Sequence, residues 1–410
     1  MQNFTGTIDY DSNQFQQINF IKNTIRKYAL RLNVQEIDTP IIEYKKLLLN
    51  KYSNELENKE IFNLENCMAS LRYDLTVPLV RYVLNNGIDN IRRFQIGKVF
   101  RKDTPYPQSG RFCEFYQADI DIVGQYNELE NEIEIFWLID KILKELNLND
   151  YIIKYNYRQN LEKICNKINV TDKKKIKNIC VTIDKLDKKD WDEITKELTE
   201  IRKLSIEQIN NLKLLLNQNY LDESLYLTNQ KLIKYVNNDK FQFVSTLARG
   251  LDYYTGIIYE VIIPNSKIKT IIAGGRYDKL IYNISKKNGK KYIPAIGISF
   301  GISRINCILP EIQINDCNKL FLICTDYDMR IKLSSLFRDK NFIVNTNNYK
   351  NNNKSTINLI TFAVKNNYDF VVIYGENDNK IKLKNIKNKN LDKNFSYEQI
   401  IKMNKKELFD

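Results

Sequence analysis

Ile91-Arg92-Arg93-Phe94-Gln95-Ile96-Gly97-Lys98-Val99-Phe100-Arg101, a polar loop holding Pro105, Pro107 and Gly110, and then Phe112-Cys113-Glu114-Phe115-Tyr116-Gln117-Ala118-Asp119-Ile120-Asp121-Ile122-Val123 are the residues on which the fold turns. Both runs are rich in β-branched and aromatic residues, so they read as an antiparallel strand pair joined by a long loop. Side chains alternate along a strand, which puts Gln117, Asp119 and Asp121 on one face. Acids and an amide inside a β-rich core are costly unless satisfied, and a cationic small molecule would satisfy them. Pattern alone favours the other reading, a solvated face of an edge strand.

Upstream, Ile18, Ile21, Ile25, Tyr28 and Leu32 recur at steps of three and four, the signature of an amphipathic helix over Asn13 to Asn33, and Val34 to Thr39 is strand-like. Downstream, Glu130 to Leu148 is helical by period and Tyr151 to Tyr157 is strand-like. From about Arg158 to Lys240 the chain is Lys-rich and glycine-free with helical spacing, as at Ile194, Leu198, Ile201 and Leu204, which predicts a helical insertion. Strand character returns at Phe241 and continues through Leu247 to Ile263. A turn at Gly274 and Gly275 is expected to precede a helix, and Ile296 to Ile308 reads as a strand running into a helix. Past Pro310, short apolar strands at Leu320 to Cys324, Phe342 to Val344 and Phe370 to Tyr374 alternate with helices at Ile331 to Arg338 and Thr356 to Lys365, a small α/β domain. The Asn- and Lys-rich run from Asn345 to Lys354 reads as a solvated loop.

The chain has 410 residues, 43% hydrophobic and 28% charged, enough for two or three domains with real cores. No run of about 18 apolar residues offers a membrane span, and no cleavable leader is visible after Met1, so the cytoplasm is the expected compartment. A formal charge of +13 favours a polyanionic partner, because lysine and arginine gain affinity by releasing counterions from phosphates. Base-composition bias toward Lys, Asn and Ile would give the same charge. The seven cysteines form no C-x-x-C pair, which argues against a thiolate zinc site and a stapled secreted scaffold; they read as reduced. Histidine is absent, which excludes a Ser-His-Asp triad, a Cys-His pair, an imidazole base and an imidazole metal ligand. Carboxylates, arginines and backbone must carry the chemistry.

Neither a G-x-x-x-x-G-K-[ST] loop nor a G-x-G-x-x-G fingerprint occurs, so the common phosphate cradles are excluded. Arginines beside strands are the alternative: Arg101, Arg111, Arg249 and Arg304. A guanidinium is a rigid fork matched to phosphate oxygens and stays charged. Any one of them could instead pair with a nearby carboxylate. In Ala248-Arg249-Gly250-Leu251-Asp252-Tyr253-Tyr254-Thr255-Gly256, paired tyrosines could wall a planar ring, or simply pack a turn.

Leu71-Arg72-Tyr73-Asp74-Leu75-Thr76-Val77-Pro78, Val99-Phe100-Arg101-Lys102-Asp103, Gly110 to Gln117, Leu247 to Gly256 and Ala273-Gly274-Gly275-Arg276-Tyr277-Asp278 resemble, in order, the motifs of histidyl-tRNA synthetases of the eukaryotic type. The resemblance runs from Gly6 to about Ile401. It implies an α+β class II synthetase catalytic core, an antiparallel sheet flanked by helices, with a helical insertion and a C-terminal α/β anticodon-binding domain. The expected divisions are residues 1–157 and 241–312 for the core, 158–240 for the insertion and 316–410 for the anticodon-binding domain. It also implies a homodimer joined through the Asn13 to Pro40 element, with ATP, Mg²⁺, L-histidine and tRNA(His) as cofactor and partners.

By the same resemblance, Arg101 and Arg249 are catalytic. Arg101, Asp103, Arg111, Phe115 and Arg304 bind ATP, with Phe115 stacking on adenine. Asp74, Thr76 and Gln117 take the amino acid's ammonium, Asp121, Tyr253 and Tyr254 shape the histidine pocket, and Arg101, bridging the substrate carboxylate and the ATP α-phosphate, and Arg249 also bind histidine. No protein metal cage is implied. The chain departs from the family at Cys113 and Ile8, where arginine is usual, and at Ser303, where glutamate is usual. Two rival readings are a regulatory subunit of ATP phosphoribosyltransferase and a non-catalytic sensor of uncharged tRNA. The first is expected to lack the anticodon domain and the catalytic arginines, and the second to sit beside a kinase domain.

Overall fold

A computed structural model describes residues 2–49, 61–124, 129–187, 189–236, 238–248, 253–285, 292–311, 318–346, 355–375, 380–386, 388, 392–404 and 407–408. The chain divides into two compact units, Met1–Ile312 and Gln313–Asp410. In the first, α1 (Ser12–Ala29) leads through β1 (Gln35–Glu36), β2 (Ile42–Tyr44) and α2 (Lys45–Leu49) to β3 (Ala69–Leu71) and α3 (Thr76–Asn85). The long pair β4 (Ile91–Phe100) and β5 (Glu114–Val123) follows, then α4 (Glu130–Glu145) and β6 (Ile152–Tyr157). Helices α5 (Arg158–Lys167), α6 (Lys173–Ile183), α7 (Trp191–Glu200), α8 (Ile206–Asn217) and α9 (Glu223–Tyr235) intervene before β7 (Phe241–Phe243). The unit closes with β8 (Ile257–Ile262), β9 (Thr270–Arg276), α10 (Leu280–Ser285), β10 (Ala295–Gly301) and α11 (Ile302–Ile308).

The described strands of this unit form one large sheet in the order β1-β4-β5-β10-β9-β8-β6-β7, with β2 and β3 paired separately. Pairing is antiparallel except at the two margins, β1 with β4 and β6 with β7. One face of the sheet is apolar. Ala118, Ile120 and Ile122 of β5, Ile296, Ile298 and Phe300 of β10, and Tyr259 and Val261 of β8 pack with Ile18, Ile21 and Ile25 of α1, Ile139 and Ile142 of α4 and Ile302 of α11. Each buried isoleucine contributes about 1.5–3 kcal/mol, so this face supplies much of the unit's stability. The Asp11–Gln14 capping box starts α1, each side chain closing the other's backbone N–H.

Helices α5 to α8 bury Leu161, Ile164, Ile179, Ile194, Leu198, Ile209 and Leu212 in a core of their own. Helix α9 does not join it: Leu232 packs in the sheet core, and the Tyr155 hydroxyl donates to Asn229 Oδ1 at 2.9 Å.

In the second unit β11 (Lys319–Cys324), α12 (Tyr327–Asp339), β12 (Ile343–Thr346), α13 (Thr356–Lys365), β13 (Phe370–Tyr374), β14 (Ile381–Asn385), β15 (Lys393–Phe395) and α14 (Tyr397–Lys402) follow in order. The sheet order is β12-β11-β13-β14-β15, parallel across the first three strands and antiparallel beyond. Strands β14 and β15 were not anticipated. The Asn/Lys-rich run begins inside β12, and its residues 347–354 lie outside the described residues.

Two local expectations are corrected. Phe241 to Ile263 is not one strand: β7 ends at Phe243, and pairing resumes only at Ile257. Gly274 and Gly275 are not a turn but the interior of β9. A Cβ at Gly274 would collide with the Gly297 carbonyl oxygen and the Tyr259 hydroxyl, and one at Gly275 would collide with the Ile257 carbonyl oxygen and press on the Tyr254 ring at 3.1 Å, so close approach of neighbouring backbone and a tyrosine requires both positions to be bare.

Candidate active site

The second face of the sheet is polar and floored by small residues. Across β5, β10, β9 and β8 the register sets Asp119 against Ser299, Ser299 against Ala273, and Ala273 against Glu260, with Gly297 beside Asp121 and Gly301 beside Gln117. The absence of bulk leaves a cavity of about 470 Å³ lined by these residues together with Asp74, Thr76, Arg101, Phe115, Tyr253, Tyr254, Tyr277 and Arg304. Strand β5 is central, flanked by β4 and β10, and Asp119 and Asp121 are only 4% and 2% exposed. The solvated edge-strand reading is therefore corrected. What period two could not reveal is that β10, contributed from far downstream, covers the second edge.

A buried arginine holds the acids in place. Arg93 on β4 is fully buried, and its Nη2 lies 2.6 Å from Asp121 Oδ2 and 3.9 Å from Asp119 Oδ2 while donating to the Leu75 carbonyl at 3.0 Å. The Tyr277 hydroxyl donates to Asp121 Oδ1, across a Gly297 whose Cβ would collide with that oxygen. Ser299 Oγ donates to Asp119 Oδ1 at 2.6 Å, and Gln117 Nε2 donates to Ser299 Oγ at 2.9 Å. Asp74 Oδ1 accepts the backbone N–H groups of Thr76 and Val77 at 3.0 and 2.9 Å, which fixes its carboxylate at the start of α3. Burial pushes the Asp119 carboxyl up to about 7, with Arg93 opposing and Asp121 and Asp74 reinforcing the shift.

The far end of the cavity has the opposite sign. Arg101 stacks its guanidinium over Tyr73 at 4.3 Å and lies 5.1 Å from the Phe115 ring, with Nε donating to the Tyr73 carbonyl at 3.2 Å. Arg304, on the first turn of α11, donates from Nη1 to the Thr270 carbonyl at 2.8 Å. The path along β5 from Phe115 through Gln117 and Asp119 to Asp121 thus runs from an arginine end to a carboxylate end over about 20 Å, at roughly 3.3 Å per residue. Tyr253 and Tyr254 lie 4.4 Å apart by ring centroids, and Tyr277 meets Tyr253 edge-on at 6.1 Å. Burial raises the hydroxyl pKa of all three tyrosines, so they stay neutral donors.

The cavity therefore gathers Asp74, Thr76, Arg101, Phe115, Gln117, Asp121, Tyr253, Tyr254 and Arg304. It does not gather Asp103 and Arg111, which stand on the loop between β4 and β5, where Arg111 bridges to Tyr106. Arg249 lies outside the described residues. Sequence reasoning missed Arg93, Ser299, Glu260 and Tyr277 as site residues. Tyr277 stands two residues beyond Gly275, on a segment already singled out. Arg93 shares the alternate face of its strand with Gln95, a signal that was available.

At the departures, Ser303 Oγ accepts the Tyr116 N–H at 3.0 Å and lies 3.2 Å from the Tyr10 hydroxyl, so a short polar side chain fits where glutamate is usual. Cys113 is buried against Gly6, whose carbonyl accepts the Cys113 N–H at 2.7 Å, and Ile8 is 38% exposed. The described cysteines are all free, and Cys317 lies outside the described residues. No described helix is long and apolar enough to cross a membrane.

A family model described as Histidyl-tRNA synthetase matches residues 6–305. The chain is 37% identical over 333 residues to a cytoplasmic histidine–tRNA ligase of Dictyostelium discoideum, covering 75% of this chain and 68% of that one. It is 30% identical over 406 residues to a probable cytoplasmic histidine–tRNA ligase of Encephalitozoon cuniculi, covering 91% and 90%. In structure it superposes on a histidyl-tRNA synthetase from Nostoc with TM-score 0.74 at 22% identity, over 99% of this chain and 98% of that one, which shows a shared fold. The chain belongs to the histidyl-tRNA synthetase family, the class II ligases that join histidine to its tRNA with ATP.

Proposed function

We propose that the sign change along the floor of the cavity orients histidine for adenylation, and that this polarity is the observation that carries the residue roles. The ammonium lies among Asp74, Thr76 and Gln117, where carboxylate and amide oxygens accept its hydrogens. The imidazole extends to the acid end, between Asp121, held by Arg93 and Tyr277, and the walls of Tyr253 and Tyr254. The carboxylate points to Arg101. ATP lies over the other end, its adenine on Phe115 and its phosphates toward Arg101 and Arg304, with Asp103 and Arg111 reached from the loop.

A histidine carboxylate oxygen attacks the α-phosphorus, the bond to the bridging oxygen of the β-phosphate breaks, and diphosphate leaves with that electron pair. Arg101 and Arg249 neutralise charge as it builds on the phosphoryl oxygens. No protein base is required, because the nucleophile is already ionised, and positioning supplies the rate. The 3′-terminal ribose hydroxyl of the tRNA then attacks the carbonyl, the bond from the carbonyl carbon to the phosphate oxygen breaks, and AMP leaves with that electron pair while the hydroxyl proton passes to the departing phosphate.

Mg²⁺ enters with the nucleotide. Among the described residues no cluster of three metal-ligating side chains exists. Glu260, on the cavity wall and accepting from Thr270 Oγ1 at 2.9 Å, is the carboxylate that would face it. The second unit reads the anticodon. Phe15, Leu30, Ile41 and Ile42 on and after α1 are exposed, which supports a homodimer joined through that element, and the family's cytoplasmic members support a cytoplasmic enzyme.

ATP–pyrophosphate exchange with each of the twenty amino acids tests the site. Exchange with histidine alone is expected. Exchange with another amino acid, or with none, would remove these pocket roles. Sedimentation that returns a monomer at micromolar concentration would remove the dimer.

A further inference from the structure

Adenylation as derived leaves Asp119 and Ser299 without a task, although both line the cavity and Asp119 is almost wholly buried. The hydrogen bonds that join them have a direction. An ionised carboxylate has no hydrogen to give, so Ser299 Oγ must donate to Asp119 Oδ1, and it does so at 2.6 Å. A serine hydroxyl carries one hydrogen. Having given it away, Ser299 can only accept from its second neighbour, and Gln117 Nε2 donates to it at 2.9 Å. That contact commits the NH₂ end of the amide to Ser299: Gln117 lines the cavity, and its Oε1 is buried and, among the described residues, has no hydrogen-bond partner.

We propose that Asp119 and Ser299 are positioning residues that set the polarity of the Gln117 amide, so that ionised Asp119 presents the cavity with an acceptor for the substrate ammonium. The proposal rests on Gln117 contacting that ammonium. Protonation of Asp119 reverses the chain: the carboxyl donates to Ser299 Oγ, Ser299 donates to Gln117 Oε1, and the amide turns its NH₂ toward the cavity. A donor then faces a donor, and histidine is repelled. Binding of histidine to the protonated form therefore releases one proton to solvent.

The surroundings make the switch fall in an accessible range. Asp119 is faced by Arg93 and Gln95 from β4, by Asp121 on its own strand, by Ser299 from β10, by Arg72 and Asp74 from the segment entering α3, and by Tyr253 and Tyr254. Burial, Asp121 and Asp74 favour the protonated form, Arg93 and Ser299 oppose it, and the carboxyl titrates at about 7. A bound ammonium adds a positive charge and pulls that value down.

The test is the pH dependence of KM for histidine in ATP–pyrophosphate exchange, from about pH 6 to about pH 8.5, a range that brackets the titration. Imidazole-propionate, which lacks the ammonium, serves as a competitive inhibitor to cancel titration of the imidazole itself. The ratio of the histidine KM to the inhibitor constant isolates the ammonium contact. In the wild type this ratio is expected to rise about tenfold or more on going below about pH 7, the worth of a hydrogen bond to a charged group. Ser299→Ala should lose the step and hold the ratio high, Asp119→Asn should also lose the step, and Ser299→Thr, which keeps the hydroxyl, should restore it. A wild-type step in Ser299→Ala and Asp119→Asn, with the ratio raised in Gln117→Ala, would overturn the relay and leave the ammonium role of Gln117 standing. An unchanged ratio in Gln117→Ala would overturn both.

Discussion

The two faces of the large sheet in the first unit are built from the same strands and obey opposite rules. On the helix face, Ile120, Ile298 and Phe300 are buried among the isoleucines of α1, and any residue of similar shape and polarity would serve. On the cavity face, Asp119, Asp121 and Ser299 are held by specific polar partners, and glycine and alanine replace bulk. Period-two alternation lets one strand serve stability and chemistry at once. Burial on the first face is a source of stability; on the second it is a cost carried for the ligand.

The largest expected effect comes from removing the charge on which the cavity face depends. Arg93→Ala leaves Asp121 and Asp119 buried without their cation, and denaturant unfolding should show a loss of about 3–5 kcal/mol. Phe300→Ala probes the contrast from the other side. It should cost about 3–4 kcal/mol of stability by leaving a cavity in the core while histidine KM in the folded enzyme stays near the wild-type value. Were Phe300→Ala to raise that KM as much as cavity-face variants do, the separation of the two faces would fail.

Gly297→Ala is intermediate in energy and specific in effect. The added Cβ meets Asp121 Oδ1 and the Tyr277 ring, so about 1–3 kcal/mol of overpacking strain is expected together with a raised histidine KM and an unchanged ATP KM. Tyr259→Phe removes one hydrogen bond, from the hydroxyl to the Gly297 carbonyl at 2.8 Å, and should cost about 1 kcal/mol in thermal unfolding with no change in amino-acid choice.

The last prediction is read by its sign rather than its size. Asp119 titrates at about 7 in the folded chain, against about 3.9 for an unperturbed aspartate, so its contribution to stability is fully present below about pH 4 and is lost as pH rises through about 7. The Tm of wild type minus that of Asp119→Asn should therefore fall between about pH 5 and about pH 8 in the absence of ligand. A difference that rises over this range would show that Asp119 is ionised well below neutral pH.

The strands themselves were legible because their periodicity is local. Helix α1, the β4–β5 pair, β10 running into α11, and the parallel strands of the second unit stand close to where residue spacing puts them. What failed depends on partners distant in sequence. Whether Gln117, Asp119 and Asp121 face solvent or a cavity is decided by β10, and whether Gly274 and Gly275 bend or run straight is decided by pairing with β8 and β10 on either side. Strands β14 and β15 escaped notice because lysine and asparagine alternate with only a few apolar residues, as in Ile381-Lys382-Leu383-Lys384-Asn385. The arginine and acid ends of the site were nameable residue by residue from the family resemblance. The support beneath them, Arg93 and Ser299, was not, because no motif marks a residue that acts by holding another.

If the carboxylate end of this sheet face is what recognises histidine, the kinetics of ATP–pyrophosphate exchange in Asp121→Asn, a near-isosteric change that removes one charge, will show it most directly. The expected result is a histidine KM raised about tenfold or more with an ATP KM within about twofold of wild type, in an enzyme that still unfolds cooperatively. A histidine KM that stays at the wild-type value would contradict this and place the recognition of the imidazole elsewhere.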